Sequence, residues 1–254
     1  MRILVINSNT SSIVTEKVAA EARAAAAPGS EIVAVTGTFG ARVIGTRAEH
    51  AIAEHSTIAL VAHHAGACDA VVIAVSYDTG LRGARELLSV PIVGMTEAGL
   101  LTACMLGGRI GVVTFGRRVL PLYQELVTSY GLASRIAGWR VLESTAAYGR
   151  GAHPELDAEI VAAARDVVER DGAETVVLTG AVMAGVPRRL QPDIPVPVVD
   201  CIAAGVRQAE LLARMSLPKP RSGSYAPPAG RELVDVDPAI ARMFAEAASA
   251  VGRT

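Results

Sequence analysis

The chain has 254 residues, of which 51% are hydrophobic and 19% charged, and its formal net charge is -1 at pH 7. A chain without excess positive charge is a poor partner for a polyanion, so we expect no nucleic-acid binding. The apolar share is typical of a globular protein with a large core. The N-terminal segment lacks the charged, apolar and cleavage regions of a secretion signal, and no apolar run reaches membrane-spanning length. We therefore expect neither export nor membrane insertion.

The cysteines indicate a reducing environment. Cys68, Cys104 and Cys201 are odd in number, widely spaced and set in apolar surroundings. They form no Cys-x-x-Cys pair and no Cys/His pattern, so the sequence predicts neither a disulfide scaffold nor a metal site. A cytoplasmic location is the resulting expectation.

Short apolar segments alternate with Ala-rich amphipathic segments in the first part of the chain. The pattern predicts strands at Ile3–Ile6, Ile32–Val35, Ala70–Val75 and Ile92–Gly94. It predicts helices at Ile13–Ala26, Arg47–Ala65, Leu81–Leu88 and Glu97–Leu106. This alternation is typical of parallel βαβ units, and continuous apolar strands indicate a sheet that is covered on both faces. The predicted fold class is α/β.

An internal repeat organises the chain. Asp69–Gly80 matches Glu174–Gly185, since both contain an acidic residue, an apolar strand and a turn that ends in Gly. Val90–Gly94 and Arg2–Ser8 have counterparts in Val196–Asp200 and Arg109–Phe115, in the same order and at nearly the same offset. The repeat predicts two pseudo-symmetric, flavodoxin-like halves with parallel sheets and a cleft between them.

The boundaries follow from this repeat. We expect a first half at residues 1–107 and a second half at residues 108–200. A helix at residues 201–217 is expected to return to the first half. Residues 218–254 are expected to form a Pro-rich linker, irregular from Pro218 to Gly230, and a C-terminal helix that Asp237 caps.

The candidate site lies at the carboxyl ends of the strands, where open parallel sheets bind ligands. The segment after the first strand presents Asn9 and Thr10, which can cap a helix or bind an anion. Turns and strand ends in both halves supply further candidates for substrate binding: Asp78, Thr114, Phe115, Thr179, Gly180 and Ala181. The candidates for catalysis are Ser76, Tyr77 and His153, the last of which precedes a helix that begins at Pro154. Two pseudo-symmetric halves would place these loops around one cleft, which suits a small carboxylate, amide or imide better than a polymer.

Several familiar site types are not supported. The sequence contains no Gly-x-Gly-x-x-Gly after a strand and no phosphate-binding Gly-rich loop, so we expect no nucleotide cofactor. Ser76 lies outside any Gly-x-Ser-x-Gly motif, which leaves a hydrolase triad without support. His50, His55, His63 and His64 share one helical segment without acidic residues at ligand spacing, which favours helix packing over a metal site.

Several of these segments together resemble a known family. Ile6–Ser11, with the sequence INSNTS, is similar to the INPNTS opening of the hydantoin and allantoin racemases, within the aspartate/glutamate racemase superfamily. Further similarities to this family lie at Glu31–Val35, Asp69–Ala74, Val90–Ala98, Leu106–Thr114 and Pro195–Asp200. The resemblance implies the two-half fold that the internal repeat predicts independently.

The resemblance also implies a site with two facing cysteines, which this chain lacks. In the family, one cysteine follows the third strand of each half, and the pair moves a proton across a planar intermediate without a cofactor. The matching positions hold Val75 and Gly180, and neither residue can carry a proton. Asp78 belongs to the family pattern, whereas Ser76 and Tyr77 distinguish this chain.

The sequence thus leaves two classes of function open. The first is a cofactor-independent isomerase or racemase-like enzyme that acts on a small carboxylate or a cyclic ureide, similar to hydantoin or allantoin, without the cysteine pair. A lyase, decarboxylase or hydrolase of the same superfamily that uses Ser, Tyr or His is an alternative within that class. The second is a non-catalytic protein that binds a small anion. In either class we expect a small-molecule ligand and, from the resemblance, a homo-oligomer.

Overall fold

The computed structural model describes residues 1–143 and 154–251 and contains two four-stranded sheets. The first sheet consists of β1 (Arg2–Asn7), β2 (Glu31–Thr36), β3 (Ala70–Ile73) and β4 (Ile92–Gly94). The second consists of β5 (Ile110–Phe115), β6 (Ile136–Leu142), β7 (Thr175–Leu178) and β8 (Val198–Asp200). All paired strands among the described residues are parallel, in the orders β2-β1-β3-β4 and β6-β5-β7-β8. The predicted α/β fold is confirmed.

Helices connect and cover these strands. In chain order they are α1 (Ser12–Ala25), α2 (Arg47–His64), α3 (Leu81–Leu87), α4 (Met95–Leu106), α5 (Leu120–Ser129), α6 (Pro154–Asp171), α7 (Val186–Leu190), α8 (Cys201–Met215) and α9 (Pro238–Val251). The predicted elements of the first half agree with the observed ones to within two residues at each end. The largest differences are that β3 ends at Ile73 instead of Val75, and that α4 begins at Met95 instead of Glu97.

The first sheet is buried on both faces because successive side chains of a strand point in opposite directions. Ile3 and Val5 of β1 pack in a central cluster with α1, α4 and α8, whereas Leu4 and Ile6 pack with α2 and α3. All four side chains are at most 1% exposed. Burial of each such side chain contributes about 1.5–3 kcal/mol to stability.

The central cluster joins the two halves. It contains Val72 of the first sheet and Val112 and Val177 of the second. The helix α4 packs against strands of the second sheet, whereas α8, which follows the second sheet in the chain, packs against β1, β3 and β4 of the first. Gly99 permits the close approach of α4 and α8, because a Cβ atom there would lie 2.5 Å from Sγ of Cys201. Each half therefore supplies a helix to the other.

The C-terminal segment packs against the outer face of the first half. Residues 218–230 contain only turns and irregular backbone. The following helix, α9, contacts α2 and α3, and Oδ1 of Asp237 accepts a hydrogen bond from the Ala239 amide at 2.7 Å. Within the described residues, the structure has no helix of the length and apolarity needed to cross a membrane.

Candidate functional site

Two matching turns follow the central strands β3 and β7. The Asp78 amide donates to the Val75 carbonyl at 2.8 Å, and the Met183 amide donates to the Gly180 carbonyl at the same distance. Each turn ends in a glycine with a left-handed backbone, Gly80 at φ 76° and Gly185 at φ 79°, from which α3 and α7 begin. The two turns thus occupy the same place at the carboxyl ends of the two sheets.

A cleft of about 310 Å³ lies between the halves and is lined by both turns. This volume lies at the small end of the range usual for ligand sites, which suits a small molecule. Most of the predicted site residues line it: Asn9, Ser76, Tyr77, Thr114, Phe115, Thr179, Gly180 and Ala181. Thr10 and Asp78 lie outside this lining, and His153 lies outside the described residues.

The two halves meet directly at Ser76. Its Oγ accepts a hydrogen bond from the Ala181 amide at 3.2 Å, and its carbonyl accepts one from Oγ1 of Thr96 at 2.6 Å. The first contact joins the turn of one half to the turn of the other. Ser76 is therefore held at the bottom of the cleft by hydrogen bonds from both sides.

Tyr123 of α5 is a further site residue that sequence analysis did not identify. Its side chain lines the cleft and the residue is 3% exposed. Burial raises the pKa of the Tyr123 phenol, although the neighbouring hydroxyls of Ser76, Thr179 and Thr114 act to lower it. The Thr179 hydroxyl is itself buried and completes no hydrogen bond of ordinary geometry with the described residues. Four hydroxyl groups therefore converge on one region of the cleft.

No local sequence signal distinguished Tyr123. It lies in an amphipathic helix of the second half, and its burial among residues of the first half depends on how the halves pack together. Apolar spacing within a single helix gives no information on which of its residues reaches the cleft.

Tyr77 contributes an aromatic wall. Its ring packs against that of Tyr123 at a centroid distance of 4.8 Å and against that of His50 at 5.8 Å. Burial is the main cause of a large upward shift in the pKa of Tyr77. The phenol is therefore protonated near neutral pH and does not serve as a base in this state.

Asp78 lies behind the cleft and supports the turn. Its carboxylate accepts hydrogen bonds from the amides of Thr96 and Glu97 at 2.9 and 2.8 Å and from the Tyr130 hydroxyl at 2.6 Å. Burial raises the pKa of Asp78 to about 7, against the three hydrogen bonds, which lower it. These contacts cap α4 and connect the turn to the end of α5, so the geometry gives Asp78 a positioning role.

The loop after β1 is held by its own side chains. Oδ1 of Asn9 accepts hydrogen bonds from Nδ2 of Asn7 and from the Ser11 amide, both at 2.9 Å. Asn9 also lines the cleft, so its side-chain amide lies where a ligand would bind. The neighbouring Thr10 is bound through its amide to the Ala41 carbonyl at 3.1 Å.

Val75 and Gly180 occupy corresponding places on the lining, each two residues beyond its strand. The backbone of Gly180 has φ 121° and ψ 125°, a conformation that residues with a side chain rarely adopt. A Cβ atom at Gly180 would meet its nearest neighbours at 3.7 Å, which is ordinary contact. Backbone conformation, and not lack of space, therefore favours glycine here.

The cysteines lie elsewhere. Cys201 is buried, and its Sγ faces the Leu178 carbonyl at 3.6 Å. Burial raises the pKa of Cys201 well above its usual value and also raises that of Cys68. None of the three thiols belongs to the described lining of the cleft.

Arginines stand at the rim. Arg42 and Arg118 line the cleft and are exposed. Arg117 is paired instead with Glu143, with Nε and Oε1 2.7 Å apart. The rim therefore presents positive charge to a ligand that enters, while the interior carries neutral hydroxyls and apolar side chains.

These features define an α/β protein with two similar parallel sheets and a ligand cleft between them. A sequence model described as Asp/Glu/hydantoin racemase matches residues 3–209, and the chain belongs to this family of enzymes.

Individual relatives align with the chain over most of their length. It is 34% identical to a hydantoin racemase of Paenarthrobacter aurescens, over 91% of this chain and 99% of the relative. Among solved structures, the allantoin racemase from Klebsiella pneumoniae matches with a TM-score of 0.89 and 31% identity, over 94% of this chain and 98% of that one. The allantoin racemase from Pseudomonas fluorescens matches with a TM-score of 0.81 and 35% identity, over 92% and 100% of the two chains.

Proposed function

We propose that this protein is a cofactor-independent enzyme that performs isomerase chemistry on a small carboxylate or a cyclic ureide, without a cysteine pair. Relatives named hydantoin racemase and allantoin racemase support the choice of a cyclic ureide as the first substrate class. The small cleft and the arginines at its rim suit a compact ligand that is anionic or becomes anionic during reaction.

One observation carries the proposal: the buried Tyr123 phenol lies beside three hydroxyls from both halves. When a proton or a carboxyl group leaves a carbon next to a carbonyl, the electron pair that remains is delocalised onto the carbonyl oxygen as an enolate. Hydroxyl groups fixed around that oxygen stabilise the negative charge. Because burial raises the pKa of Tyr123, the phenol keeps its proton and can donate a hydrogen bond to the enolate.

The proton-transfer group differs from that of two-cysteine racemases. Val75 and Gly180 cannot exchange protons, so a single group is expected to protonate the enolate from one side. Tyr123 is the candidate within the described cleft, and Ser76 and Tyr77 assist it by contact. Racemisation, the reaction in the names of the relatives, is the first to test, and it needs a base for the proton on carbon in addition to the proton donor, a role that the protonated phenols of Tyr77 and Tyr123 do not fill. Decarboxylation needs no base, because loss of CO2 leaves the enolate and one proton delivered to one face completes the reaction. Elimination and ring opening are the further reactions to test.

The experiment is an assay with chiral hydantoins, allantoin and substituted malonates, followed by circular dichroism and mass spectrometry. We expect turnover of at least one of these compounds, and a decrease in kcat of about 100-fold to 1,000-fold in Tyr123→Phe, the size seen when one oxyanion donor is removed. Tyr225→Phe, in the segment after α8, is the matched control and should retain full activity. The absence of both binding and turnover of all three compound classes would reject the proposed substrate class.

Val75 and Gly180 also favour a second candidate, a protein that binds a small anion without converting it. The outcome that distinguishes it is saturable binding of a hydantoin or malonate with no change in the ligand after prolonged incubation. Binding that Tyr123→Phe weakens, without turnover in the parent protein, would establish this second candidate.

We also propose that the protein resides in a reducing compartment such as the cytoplasm. Its three free thiols support this location.

We further propose that the protein is a homo-oligomer. Large apolar side chains are exposed on α4 and α8, among them Met105 at 76% and Leu211 at 58%, and such exposure supports an interface between subunits. Chromatography with light scattering tests the oligomer.

A further inference from the structure

A second pocket, which we call the helix pocket, shares Tyr77 with the cleft. It has a volume of about 370 Å³ and is bounded by α2, the start of α3 and α5. The helices α2 and α3 belong to the first half and α5 to the second, so the helix pocket spans a junction between the halves. The side chain of Tyr77 lines both cavities.

The rim of the helix pocket carries charges of both signs. Arg47 of α2 and Glu125 of α5 form an exposed ion pair across it. Arg82 of α3 and Glu54 of α2 are a further exposed cation and a further exposed carboxylate on its lining. The positive and negative charges among these four groups therefore balance.

Below the rim the helix pocket is largely apolar. Leu81 and Leu122 are buried and supply aliphatic surface, and the ring of Tyr77 adds aromatic surface. The carboxyl group of Asp78 also borders the helix pocket, but it is engaged by the three hydrogen bonds described above. The interior thus suits an apolar group, and the rim suits charged groups.

His50 connects the helix pocket to the wall of the cleft. Its ring packs edge-on against that of Tyr77, and its Nδ1 lies 3.2 Å from Oγ1 of Thr79, in the turn that carries Ser76. Burial lowers the pKa of His50, so the ring is neutral near neutral pH, and its Nε2 lies 3.7 Å from Oε1 of Glu54. A molecule that contacts His50 in the helix pocket therefore acts on the side chain that forms the aromatic wall of the cleft.

We propose that the helix pocket is a second binding site, for a small apolar α-amino acid in its zwitterionic form, and that its occupant supports the wall of the cleft through Tyr77. The ammonium group faces Glu54 and Glu125, and the carboxylate faces Arg47 and Arg82. An ion of one sign alone would meet groups of its own charge, which disfavours it. Because an exposed ion pair contributes little to stability, Arg47 and Glu125 can exchange each other for the ligand at low cost.

Racemic leucine and two analogues test the ligand class. Isoamylamine has the side chain and the ammonium group of leucine without the carboxylate, and isocaproate has the side chain and the carboxylate without the ammonium group. Calorimetric titration at constant ionic strength measures the three dissociation constants. We expect leucine to bind at least about tenfold more tightly than either analogue, because each analogue loses one set of charge-assisted hydrogen bonds.

Variants distinguish the helix pocket from the cleft. Arg82→Gln and Glu54→Gln each remove one charge from the rim and should each weaken leucine binding at least about fivefold. Arg23→Gln is the matched control, since Arg23 is an exposed helical residue outside the helix pocket, and it should leave leucine binding unchanged. Tyr123→Phe removes a hydroxyl from the cleft and should also leave leucine binding unchanged.

Fluorescence tests the effect on the cleft. Trp139 is the single tryptophan, and its ring lies 6.4 Å from that of Tyr123 between centroids, which lies 4.8 Å from that of Tyr77. Its fluorescence therefore reports binding in the cleft without turnover. Saturating leucine should lower the dissociation constant of a chiral hydantoin severalfold, because an occupant holds Tyr77 in place, and Arg82→Gln should abolish this effect at the same leucine concentration.

The outcomes separate the inference from the proposed function. Absence of leucine binding, or equal binding of either analogue, overturns the proposed ligand. Loss of leucine binding in Tyr123→Phe but not in Arg82→Gln places leucine in the cleft and overturns the second site. An unchanged affinity for the hydantoin at saturating leucine overturns the role of Tyr77.

The leucine titrations need no ligand in the cleft. Failure of every hydantoin to bind therefore rejects the proposed substrate class without affecting the second site. In that case the response of Trp139 fluorescence to leucine itself decides the role of Tyr77. A response with the midpoint found by calorimetry supports that role, and the lack of a response overturns it.

Discussion

At the scale of single residues, the side chain of Asn9 stabilises the loop after β1 and also lines the cleft. Its Oδ1 holds the loop, and because Asn9 lines the cleft we expect its Nδ2 to donate to a ligand there. Asn9→Ala should weaken ligand binding by about 1–3 kcal/mol, because it removes a donor from a largely buried site. Fluorescence titration of Trp139 measures the dissociation constant.

Asn9→Asp is the control for the loop. Aspartate keeps an acceptor for the Asn7 side chain and the Ser11 amide but loses the donor to the ligand. We expect its melting temperature to remain close to that of the parent protein while its affinity for an anionic ligand falls. Unchanged affinity in both variants would show that Asn9 does not contact the ligand.

The thiols should be dispensable for catalysis. Because burial raises the pKa of Cys201 and of Cys68, their thiolates are scarce near neutral pH and react slowly. Replacement of Cys68, Cys104 and Cys201 together by Ala should retain turnover, apart from a loss of stability, and iodoacetamide should not inhibit. Loss of turnover in Cys201→Ser with an unchanged melting temperature would instead indicate thiol chemistry at the start of α8.

At the scale of secondary-structure elements, Asp78 determines where α4 begins. It caps the helix through the amides of Thr96 and Glu97 and also accepts the Tyr130 hydroxyl. Asp78→Ala should lower the free energy of unfolding by about 2–4 kcal/mol, the sum of a lost helix cap and a buried hydroxyl without a partner. Tyr130→Phe removes only one of these contacts and should cost about 1 kcal/mol. Urea unfolding measures both, and equal effects would argue against the cap as the main contribution.

The same carboxyl group predicts a pH dependence of stability. Burial raises the pKa of Asp78 from 3.8 to about 7, so between these values the folded protein holds a proton that the unfolded chain has released. The contribution of Asp78 to stability is therefore fully present below pH 4 and decreases as the pH rises to about 7. Comparison of Asp78→Asn with the parent protein across this range should show that the variant lacks this decrease. A parallel pH dependence in the two proteins would contradict the raised pKa.

The elements were largely predictable from sequence, whereas their arrangement was not. Apolar runs and Ala-rich periodicity indicated the strands and helices of the first half, and the repeat indicated the matching turns at Val75 and Gly180. The early start of α4 escaped prediction because its cap, Asp78, lies far away in sequence. The place of Tyr123 in the cleft was not predicted for a similar reason, because contacts between elements of different halves leave no pattern in the local sequence.

We propose that the two halves arose by duplication, and the equal order of strands in their sheets supports this.

At the scale of the whole molecule, the crossing of α4 and α8 makes each half depend on the other. Residues of both sheets and of α1, α4 and α8 form one central cluster, so neither half can bury its apolar surface alone. Val206 of α8 is fully buried in this cluster. Removal of part of its side chain should therefore destabilise both halves, although Val206 follows the second sheet in the chain.

We accordingly expect one cooperative unfolding transition in urea. Fluorescence of Trp139 in the second half and thiol exposure of Cys68 in the first should report the same midpoint, and Val206→Ala should lower both midpoints equally, by about 1–3 kcal/mol in free energy of unfolding. A fragment of residues 1–107 should not fold alone, since α8 is absent from its sheet. Two separate transitions, or a shift of only one probe in Val206→Ala, would instead show that the halves are independent domains.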